Sequence, residues 1–527
     1  MPQLTTGPLT ADDDGAGAAR DALIVRAGRY RPTPYLILGT AFWLVVGITA
    51  WRAPIQGDFG QHASAVQRIK DDWLHPMNPL LKVSGANSPY FSPYIVALGL
   101  FAKLTGLAAW RVVKLSLWLN LAVLLLGVWA FTRTLSTRRW APVFALAAFT
   151  LVWGVRGKEW SGFCGLWSLT HGAPYPSCFA VGVTLLLWAW ADRLARRDSV
   201  VLHDRPGALF REYAPYVGLG AAGGVLLLIH PITALAAWVG LACVVAGRQH
   251  GWSWPVAGRW AAACTAALVV ALVWPYNDIF SLAGDTTVDA VHRRLYADLW
   301  HWYGLAFALG LPVLALRARR YRRDPLVLMF LADCALVGYG WVSGHYTYGR
   351  VFALLVVPLQ FGLAVEVAQI PPWTRVRRVL APLAVIAVLV GTAAQIGAVV
   401  PQRYLPVTLR HPRGWPSYGW VADHVPDGDV LIADGYFAPH TLPAYGIFMV
   451  NPTWPDPSTS PAERNRRFFA ARAYLDPHTP PDVRARIGRR YDIRWLLLRR
   501  GQHVPYDGRL VASNPATGER LIRLADG

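Results

Sequence analysis

The chain has few charged side chains: Asp, Glu, Lys and Arg make up 16% of its 527 residues, against about a quarter in soluble domains. Hydrophobic residues make up 54% and include 25 Trp, and the mean hydropathy is +0.30. So little charge would not keep the surface of a water-soluble enzyme of this size dispersed. The shortage of charge therefore excludes a soluble globular enzyme and a disordered tail, and it indicates a membrane protein with many spans.

Cysteine is also scarce, with five residues, which excludes a disulfide-dense secreted scaffold. The sequence has no Cys/His spacing typical of zinc, no phosphate-binding glycine loop and no dinucleotide-binding Gly-x-Gly-x-x-Gly after a strand. ATP-dependent and nicotinamide chemistry therefore have no support. Cys164 and Cys178 flank a polar loop, and they could pair if that loop faced an oxidising compartment.

The formal charge of +20 lies in short basic clusters between apolar runs and not on one face or stripe, so nucleic acid is not an expected partner. Apolar runs of about 20 residues are needed to cross a bilayer, and by that test the chain makes about 11 crossings. We expect them at 35–53, 111–132, 139–155, 177–194, 214–230, 231–247, 256–275, 301–316, 325–343, 349–368 and 380–400.

The basic clusters decide the orientation of these crossings. The clusters are Arg133/Arg138/Arg139, Arg193/Arg196/Arg197, Arg317–Arg323 and Arg375/Arg377/Arg378. If the short apolar stretch 93–107 does not cross, all of them lie on the side of the basic N-terminal tail, and if it crosses, all lie opposite. The first topology obeys the positive-inside rule. It predicts a multi-pass plasma-membrane protein with a cytosolic tail, 1–34, and a transmembrane domain, 35–400.

The same topology places several polar segments on the outer face. They are the long first loop, 54–110, and the loops 156–176, 276–300 and 344–348. Residues 401–527 also lie outside, and they contain strand-like runs at Val430–Ala433 and Trp495–Leu498 that bracket helical segments at Ala462–Tyr474 and Pro481–Arg490. We expect a small extracytoplasmic α/β domain.

The first outer loop opens with the most suggestive pair of side chains. Asp58 follows the first span, and His62 comes one helical turn later, which puts an acid/base pair on one face. Taken alone, Asp58 is best interpreted as a helix N-cap and His62 as a surface histidine. The four-residue spacing of Ala65, Ile69 and Trp73 predicts an amphipathic helix resting on the membrane surface.

The order of features up to Arg111 is similar to that of a known superfamily. An acidic residue just after the first span is followed by predicted surface helices, by Pro93-Tyr94 and Lys103–Gly106, and by Arg111 at the start of the second span. With many further spans and an outer C-terminal domain, this order resembles the GT-C superfamily. These are integral-membrane glycosyltransferases that take sugars from polyprenyl-phosphate donors. The resemblance covers nearly the whole chain as architecture, on short motifs.

The resemblance implies a polytopic α-helical GT-C-like enzyme. It would move a sugar, with inversion, from a polyprenyl-phosphate donor to a cell-envelope glycan, lipid or protein. Asp58 matches the position of the family's catalytic carboxylate, and we expect it to act as the base. Many members carry two adjacent acidic residues there, whereas Asp58 lies between Gly57 and Phe59. Arg350 resembles the arginine that similar enzymes place near the donor phosphate; its alternative is snorkelling to the headgroups.

Further substrate-binding candidates lie in the outer loops. With Arg350 they are His62, Lys158, Glu159, His171, His230, His345 and Tyr348. Lys158 would assist Arg350 at the phosphate, and His230 is an ionisable residue in an apolar context. A neutral histidine bonded to a carbonyl explains His230 equally well. The loop 276–300 either lines the acceptor cleft or is simply solvated.

Three questions stay open in the sequence. Asp58, Glu159 and His171 could share a divalent cation if the fold brings their loops together. A secondary transporter or flippase for a lipid-linked sugar would need ionisable residues inside the spans, and Asp333 and Glu366 are present there. A non-catalytic membrane scaffold whose outer domain binds a partner is the third function class.

Overall fold

The computed structural model describes residues 32–197, 208–369, 374–407, 414–503 and 508–525. The predicted tail 1–34 lies almost entirely outside these residues. The helices up to residue 398 are, in chain order, α1 Pro34–Arg52, α2 Phe59–Asp71, α3 Pro93–Thr105, α4 Ala109–Leu135, α5 Ala141–Leu151, α6 Leu166–Gly172, α7 Pro176–Ala195, α8 Ala208–Ile229, α9 Pro231–Arg248, α10 Trp254–Leu272, α11 Asp289–His292, α12 Leu299–Arg320, α13 Pro325–Ser343, α14 Tyr346–Val367 and α15 Arg375–Gln395.

Ten helices of the described ranges are long and apolar enough to cross a membrane: α1, α4, α7 to α10 and α12 to α15. They form one bundle around α14, which is almost entirely buried, as expected for a central helix. Phe361 of α14 packs against Phe131 and Phe149, with ring centroids 5.3 and 5.8 Å away. This central position holds the first turns of α14, including Arg350, at one end of the bundle.

The third predicted crossing differs from expectation. The sequence predicted a span over 139–155, but its helix α5 has 11 residues, about 16 Å of an apolar core about 30 Å thick. After α5 the chain pairs with α12: Ala306 N donates to the Trp153 carbonyl at 3.0 Å, and Arg156 N donates to the His301 carbonyl at 3.2 Å. The helix ends at Leu151, and these non-local bonds hold the segment that follows against α12.

Two opposite faces of the bundle can be told apart. On one face, Arg320 and Arg377 pair with Glu366 at 2.8 and 3.0 Å, and Arg248 pairs with Asp192 at 2.8 Å. The predicted basic clusters collect at this end. The polar loops after α1, α5, α10 and α13 meet at the other end, where they line one cavity. That this second face is extracytoplasmic stays a prediction.

The helix α2 lies inside the protein, and its predicted place on the membrane surface is wrong. Ala65 and Ile69 are fully buried, and Arg68 is only 3% exposed. The apolar side of α2 packs on α3 and α4, and its polar side is covered by the C-terminal domain. An amphipathic sequence pattern shows only that one side of a helix is in polar surroundings. Here those surroundings are the C-terminal domain and not water. Trp73 lies beyond the end of α2 and is exposed.

The C-terminal region is α/β, as expected. Its elements are α16 Gly419–Ala422, β1 Val430–Ala433, α17 Phe437–Thr441, β2 Phe448–Met449, α18 Pro461–Leu475, α19 Pro481–Tyr491, β3 Ile493–Leu498, β4 Gly508–Ser513 and β5 Arg520–Leu524. The described strands form a mixed sheet in the order β2-β1-β3-β5-β4, with β1 parallel to both neighbours. All four residues of β1 are buried, which is typical of a central parallel strand.

Hydrogen bonds from α2 fix the C-terminal domain in place. Arg68 donates from Nη2 to the carbonyl of Gly446 at 2.7 Å, and its guanidinium lies 3.6 Å above the ring of Phe448. Beside it, Gln67 donates from Nε2 to Asp427 Oδ2 at 2.7 Å. The rest of the first loop adds further bonds: Met449 N to the Leu80 carbonyl at 2.8 Å, Asn78 Nδ2 to Ser458 Oγ at 2.7 Å and Ser88 Oγ to Asp456 Oδ2 at 2.7 Å. The domain therefore sits directly over the polar end of the bundle.

Candidate active site

Asp58 ends a tight turn after α1. The turn needs Gly57 at φ +57°, where a Cβ would lie 2.9 Å from the hydroxyl oxygen of Tyr175. That hydroxyl donates to the carbonyl of Gln56 at 2.7 Å and so holds the turn from inside. Asp58 occupies the N-cap position of α2, but its carboxylate makes no capping hydrogen bond within the described chain. The N-cap interpretation of Asp58 therefore fails, and the carboxylate is left available.

A cavity of about 640 Å³ opens beside Asp58. Its polar lining consists of Asp58, His62, Tyr90, Ser92, Ser161, Ser177, His230, Asp285, Asp289, His292, His345, Thr347, Tyr348 and Arg350. Its apolar part is lined by Leu227, Ile229, Ile232, Leu235, Ile279, Phe280 and Leu282, which come from α8, α9 and the loop after α10. A cavity with one charged and one apolar end fits an amphipathic ligand.

Arg350 brings a cation into this cavity. Its Nη2 donates to the carbonyl of Ser161 at 3.1 Å and lies 3.2 Å from His230 Nε2. Its Nε is buried and has no hydrogen-bond partner among the described residues. The side chain therefore points inward and not to the headgroups, and it retains an unused donor. Asp58 is close enough for the two charges to interact.

His62 lies in the cavity wall, not on the surface as its simplest interpretation had it. Its ring packs against Tyr175 and Tyr90, with centroids 5.3 and 6.0 Å away. Burial lowers the pKa of His62 to about 4; the charge of Asp58 opposes this shift and that of Arg350 adds to it. His62 is therefore neutral at physiological pH, and its Nδ1 has no hydrogen-bond partner in the described structure.

His230 is neutral for the same reasons. Burial, and then the charge of Arg350, hold the pKa of His230 well below its usual value. A neutral imidazole accepts a hydrogen bond at one nitrogen only. Nδ1 of His230 accepts from the backbone N of Thr233 at 3.4 Å, and its Nε2 lies 3.2 Å from Arg350 Nη2. The structure thus places His230 beside Arg350 and bonds its ring to a backbone N–H and not to a carbonyl, and its role in substrate binding stays a prediction.

A second polar group faces the cavity. Of this group, the sequence singles out His345 and Tyr348 as candidates and includes Asp289 and His292 only as part of the loop 276–300. Asp289 is 7% exposed, and its Oδ1 accepts from both the backbone N and the Oγ1 of Thr347, each at 2.7 Å. His345 Nδ1 lies 3.6 Å from Asp289 Oδ2, and His292 Nδ1 lies 2.9 Å from Thr347 Oγ1. The predicted residue Tyr348 lines the cavity next to this group and packs against Tyr339. The solvated interpretation of this part of the loop 276–300 is therefore wrong.

Lys158 is outside the cavity. Its Nζ donates to the Tyr303 hydroxyl at 3.2 Å and lies 5.1 Å from the centroid of the Trp302 ring. Burial in this aromatic pocket lowers the pKa of Lys158 to about 8. The structure thus does not bring Lys158 to Arg350.

Glu159 and His171 also lie outside the cavity but close to Asp58. Glu159 Oε1 accepts from Gln56 Nε2 at 3.2 Å, and its Oε2 lies 3.9 Å from His171 Nδ1. Within the ranges that the structure describes, no three His, Cys, Asp or Glu side chains form a group able to hold a metal ion. The disulfide between Cys164 and Cys178, which the sequence allowed only if their loop faced an oxidising compartment, is not formed; all five cysteines lie in described segments and are free thiols.

No protein-family model matches the chain, and no curated protein matches it. Among solved structures, the chain is similar to arabinofuranosyltransferase AftD from Mycobacteria: the two align with a TM-score of 0.53 at 15% identity, over 94% of this chain and 41% of AftD. A second AftD structure, of a variant, gives a TM-score of 0.54 at 16% identity over 93% and 41%. The archaeal oligosaccharyltransferase AglB from Archaeoglobus fulgidus aligns over 88% and 69% at 11% identity, with a TM-score of 0.49.

The chain thus spans 41% of the length of AftD, and at 15% identity the likeness concerns the fold. It includes nearly the whole bundle and the C-terminal domain, since 94% of this chain is aligned. The chain has the polytopic GT-C fold of membrane glycosyltransferases, as its sequence predicted.

Proposed function

We propose that this protein is an inverting membrane glycosyltransferase that moves a sugar from a polyprenyl-phosphate donor to a hydroxyl of an extracytoplasmic acceptor. One observation carries the proposal: the cavity beside Asp58 is cationic at Arg350 and apolar along α8 and α9. A polyprenyl phosphate has the same division, with an anionic head and a hydrocarbon tail. The GT-C fold supports the same class of reaction.

Arg350 would bind the donor phosphate. A buried guanidinium is costly without an anion, and among the described residues its Nε lacks a partner. A phosphate oxygen is a good acceptor for a guanidinium, which can make two parallel hydrogen bonds. His230, held neutral, lies against the guanidinium without adding a charge that would compete for the anion.

The lipid tail would leave through the apolar part of the cavity. Leu227 and Leu235 belong to membrane-spanning helices, and Phe280 at the same opening is partly exposed. An isoprenoid chain would run along these apolar side chains toward the bilayer. The head then stays at the end where the polar loops meet.

Asp58 would act as the general base. The acceptor hydroxyl attacks the anomeric carbon and its proton passes to the Asp58 carboxylate. The bond from that carbon to the phosphate oxygen breaks, and its electron pair leaves with the polyprenyl phosphate, whose charge Arg350 stabilises. A single displacement inverts the anomeric carbon. Because phosphate is a good leaving group, no strong acid is required on the donor side.

A flippase or transporter is the second candidate, and one contact argues against it. Glu366, which it would use inside the membrane, is paired with Arg320 and Arg377 at the basic face. Asp333 remains as a carboxylate buried in α13, with Oδ1 unpartnered within the described chain.

Reconstitution separates the two candidates. Purified protein in detergent is given a panel of synthetic polyprenyl-phosphate pentoses and hexoses with oligosaccharide acceptors. Release of polyprenyl phosphate with a new glycosidic bond of inverted configuration supports the transferase. Movement of labelled lipid across a vesicle wall without cleavage would overturn it.

A further inference from the structure

An aromatic cluster on the C-terminal domain lies outside the cavity already described. Trp415 contacts Tyr436 and Phe437, with ring centroids 5.4 and 5.2 Å away, and His440 lies 4.3 Å from Tyr436. Tyr436 is 60% exposed and Phe437 is 41% exposed. The rings of Tyr436 and Phe437 therefore contribute little to the core of the domain. A contiguous exposed aromatic patch on a polar domain is typical of a binding surface.

This cluster borders Asp58. A Cβ on Gly60, two residues after Asp58, would collide with the carbonyl oxygen of His440. On the other side, a Cβ on Gly414 would lie 3.1 Å from the ring of Pro54. Burial and the charge of Asp58 raise the pKa of Tyr436, which shows that the phenol lies within electrostatic reach of the carboxylate. Asp58 thus stands between the cavity and the aromatic cluster.

Polar groups of both signs frame the rings. Glu159 is 45% exposed and accepts from Gln56. The charges of Arg294 and Glu159 both act on Tyr436. Two carboxylates, Asp58 and Glu159, and one guanidinium, Arg294, give this surface a small excess of negative charge, so an anionic ligand gains little here. Flat apolar rings bordered by hydrogen-bonding groups suit an uncharged sugar, whose ring has apolar faces and a polar edge.

We propose that this surface, which we call the aromatic subsite (Trp415, Tyr436, Phe437 and His440), binds the terminal uncharged sugar of the acceptor. The sugar ring stacks on Tyr436 and Trp415, and Glu159 accepts a hydrogen bond from one of its hydroxyls. Its nucleophilic hydroxyl then reaches Asp58 from the side opposite the donor cavity. This inference rests on the proposed function and adds that the C-terminal domain supplies part of the acceptor site.

The test uses the full-length protein in detergent and separates binding from turnover. Saturation-transfer NMR measures the binding of neutral oligo-arabinofuranosides and oligo-mannopyranosides, with an oligogalacturonate as the anionic comparison and no donor present. Tyr436→Ala and Trp415→Ala are compared with Phe469→Ala, which removes an exposed ring on α18. We expect each subsite variant to weaken neutral-sugar binding about tenfold. Tyr436→Trp, which keeps a stacking face, should restore it, and Phe469→Ala should have no effect.

Turnover gives the second readout. In the subsite variants the KM for the acceptor should rise about tenfold, while the KM for the polyprenyl-phosphate donor does not rise with it. The inference is overturned if neutral sugars do not bind, or if they bind Tyr436→Ala as tightly as the wild type while its thermal unfolding is unchanged. If Tyr436-dependent binding is found but no donor is ever cleaved, the subsite stands and the proposed transferase function fails.

Discussion

Asp58 and Arg350 face the same cavity, although 291 positions of sequence and most of the membrane bundle separate them. Asp58 comes from the turn after α1, and Arg350 comes from the first turns of the central helix α14. The two charges interact. The Asp58 carboxylate does not cap α2, and the Arg350 side chain does not extend to the lipid headgroups. A carboxylate and a cation at one cavity are the two groups that the proposed transfer from a lipid phosphate requires.

Replacement of Arg350 should weaken donor binding. For Arg350→Gln we expect the KM for a polyprenyl-phosphate sugar to rise about 10- to 100-fold, because a charge-assisted hydrogen bond contributes about 1.5–3 kcal/mol. Arg350→Lys keeps the charge but loses the planar fork, so it should recover only part of the affinity. Arg111→Gln, at an exposed arginine where α4 begins, is the control. An unchanged donor KM in Arg350→Gln would contradict the phosphate assignment.

The buried histidines should make the protein less stable in acid. The folded pKa of His62 is about 4, below the ordinary value of about 6.5 that it has when unfolded. Between these values the unfolded chain binds a proton that the folded protein does not, so the free energy of unfolding falls as the pH falls from about 6.5 to 4. His62→Gln removes one such group. As the pH is lowered from 7 to 4.5, the Tm of the wild type should fall relative to the Tm of His62→Gln. A difference in Tm that does not change with pH would contradict the lowered pKa of His62.

Loss of Arg68 should release the C-terminal domain. Its guanidinium donates to Gly446 and lies near Asp427, with an ion-pair distance of 3.7 Å. Arg68→Met leaves the buried Gly446 carbonyl without its donor and removes the charge partner of Asp427, which is half-exposed and keeps its hydrogen bond from Gln67. We therefore expect a loss of about 1–3 kcal/mol in the docking of the domain. Limited proteolysis of the region after residue 398 should become faster. Arg486→Met breaks an exposed pair with Asp482 and should change the rate little.

The turn before Asp58 should tolerate no side chain at Gly57. In Gly57→Ala the new Cβ meets both the positive φ and the Tyr175 hydroxyl at 2.9 Å. Gly106→Ala is a matched control, since Gly106 has φ +72° and open space around the new Cβ within the described residues. Both variants carry the backbone strain of about 1–2 kcal/mol, but Gly57→Ala should in addition lose glycosyl transfer by displacing Asp58. Equal activity in the two variants would contradict the role of this turn.

The sequence predicts those parts of the fold that depend on local pattern. Long apolar runs locate the spans, the runs at Val430–Ala433 and Trp495–Leu498 locate two strands, and Asp58 is found by its place after α1. What the sequence cannot show depends on distant partners. The polar side of α2 would look the same under water or under a second domain, and the backbone bonds that hold the segment after α5 against α12 are non-local.

The same limit applies to the site. Asp289 and Thr347 are 58 positions apart and carry no motif that predicts their contact. Glu159 and Tyr436 come together only once the C-terminal domain has docked on the first loop. Arg350 could be predicted from the sequence, because a charged side chain next to a long apolar run is energetically costly unless it has a partner.

The measurement that tests the central claim most directly is glycosyl transfer by Asp58→Asn. This variant keeps the size of the side chain but removes the base, and general-base catalysis contributes about 10²- to 10⁴-fold. Asp72→Asn is the matched control, because this exposed carboxylate of the same loop only accepts backbone hydrogen bonds from Leu74 and His75, which an amide oxygen can also accept. Our account predicts that Asp58→Asn loses at least about 100-fold in kcat, with donor binding retained and Asp72→Asn active. Transfer by Asp58→Asn at the wild-type rate would contradict it.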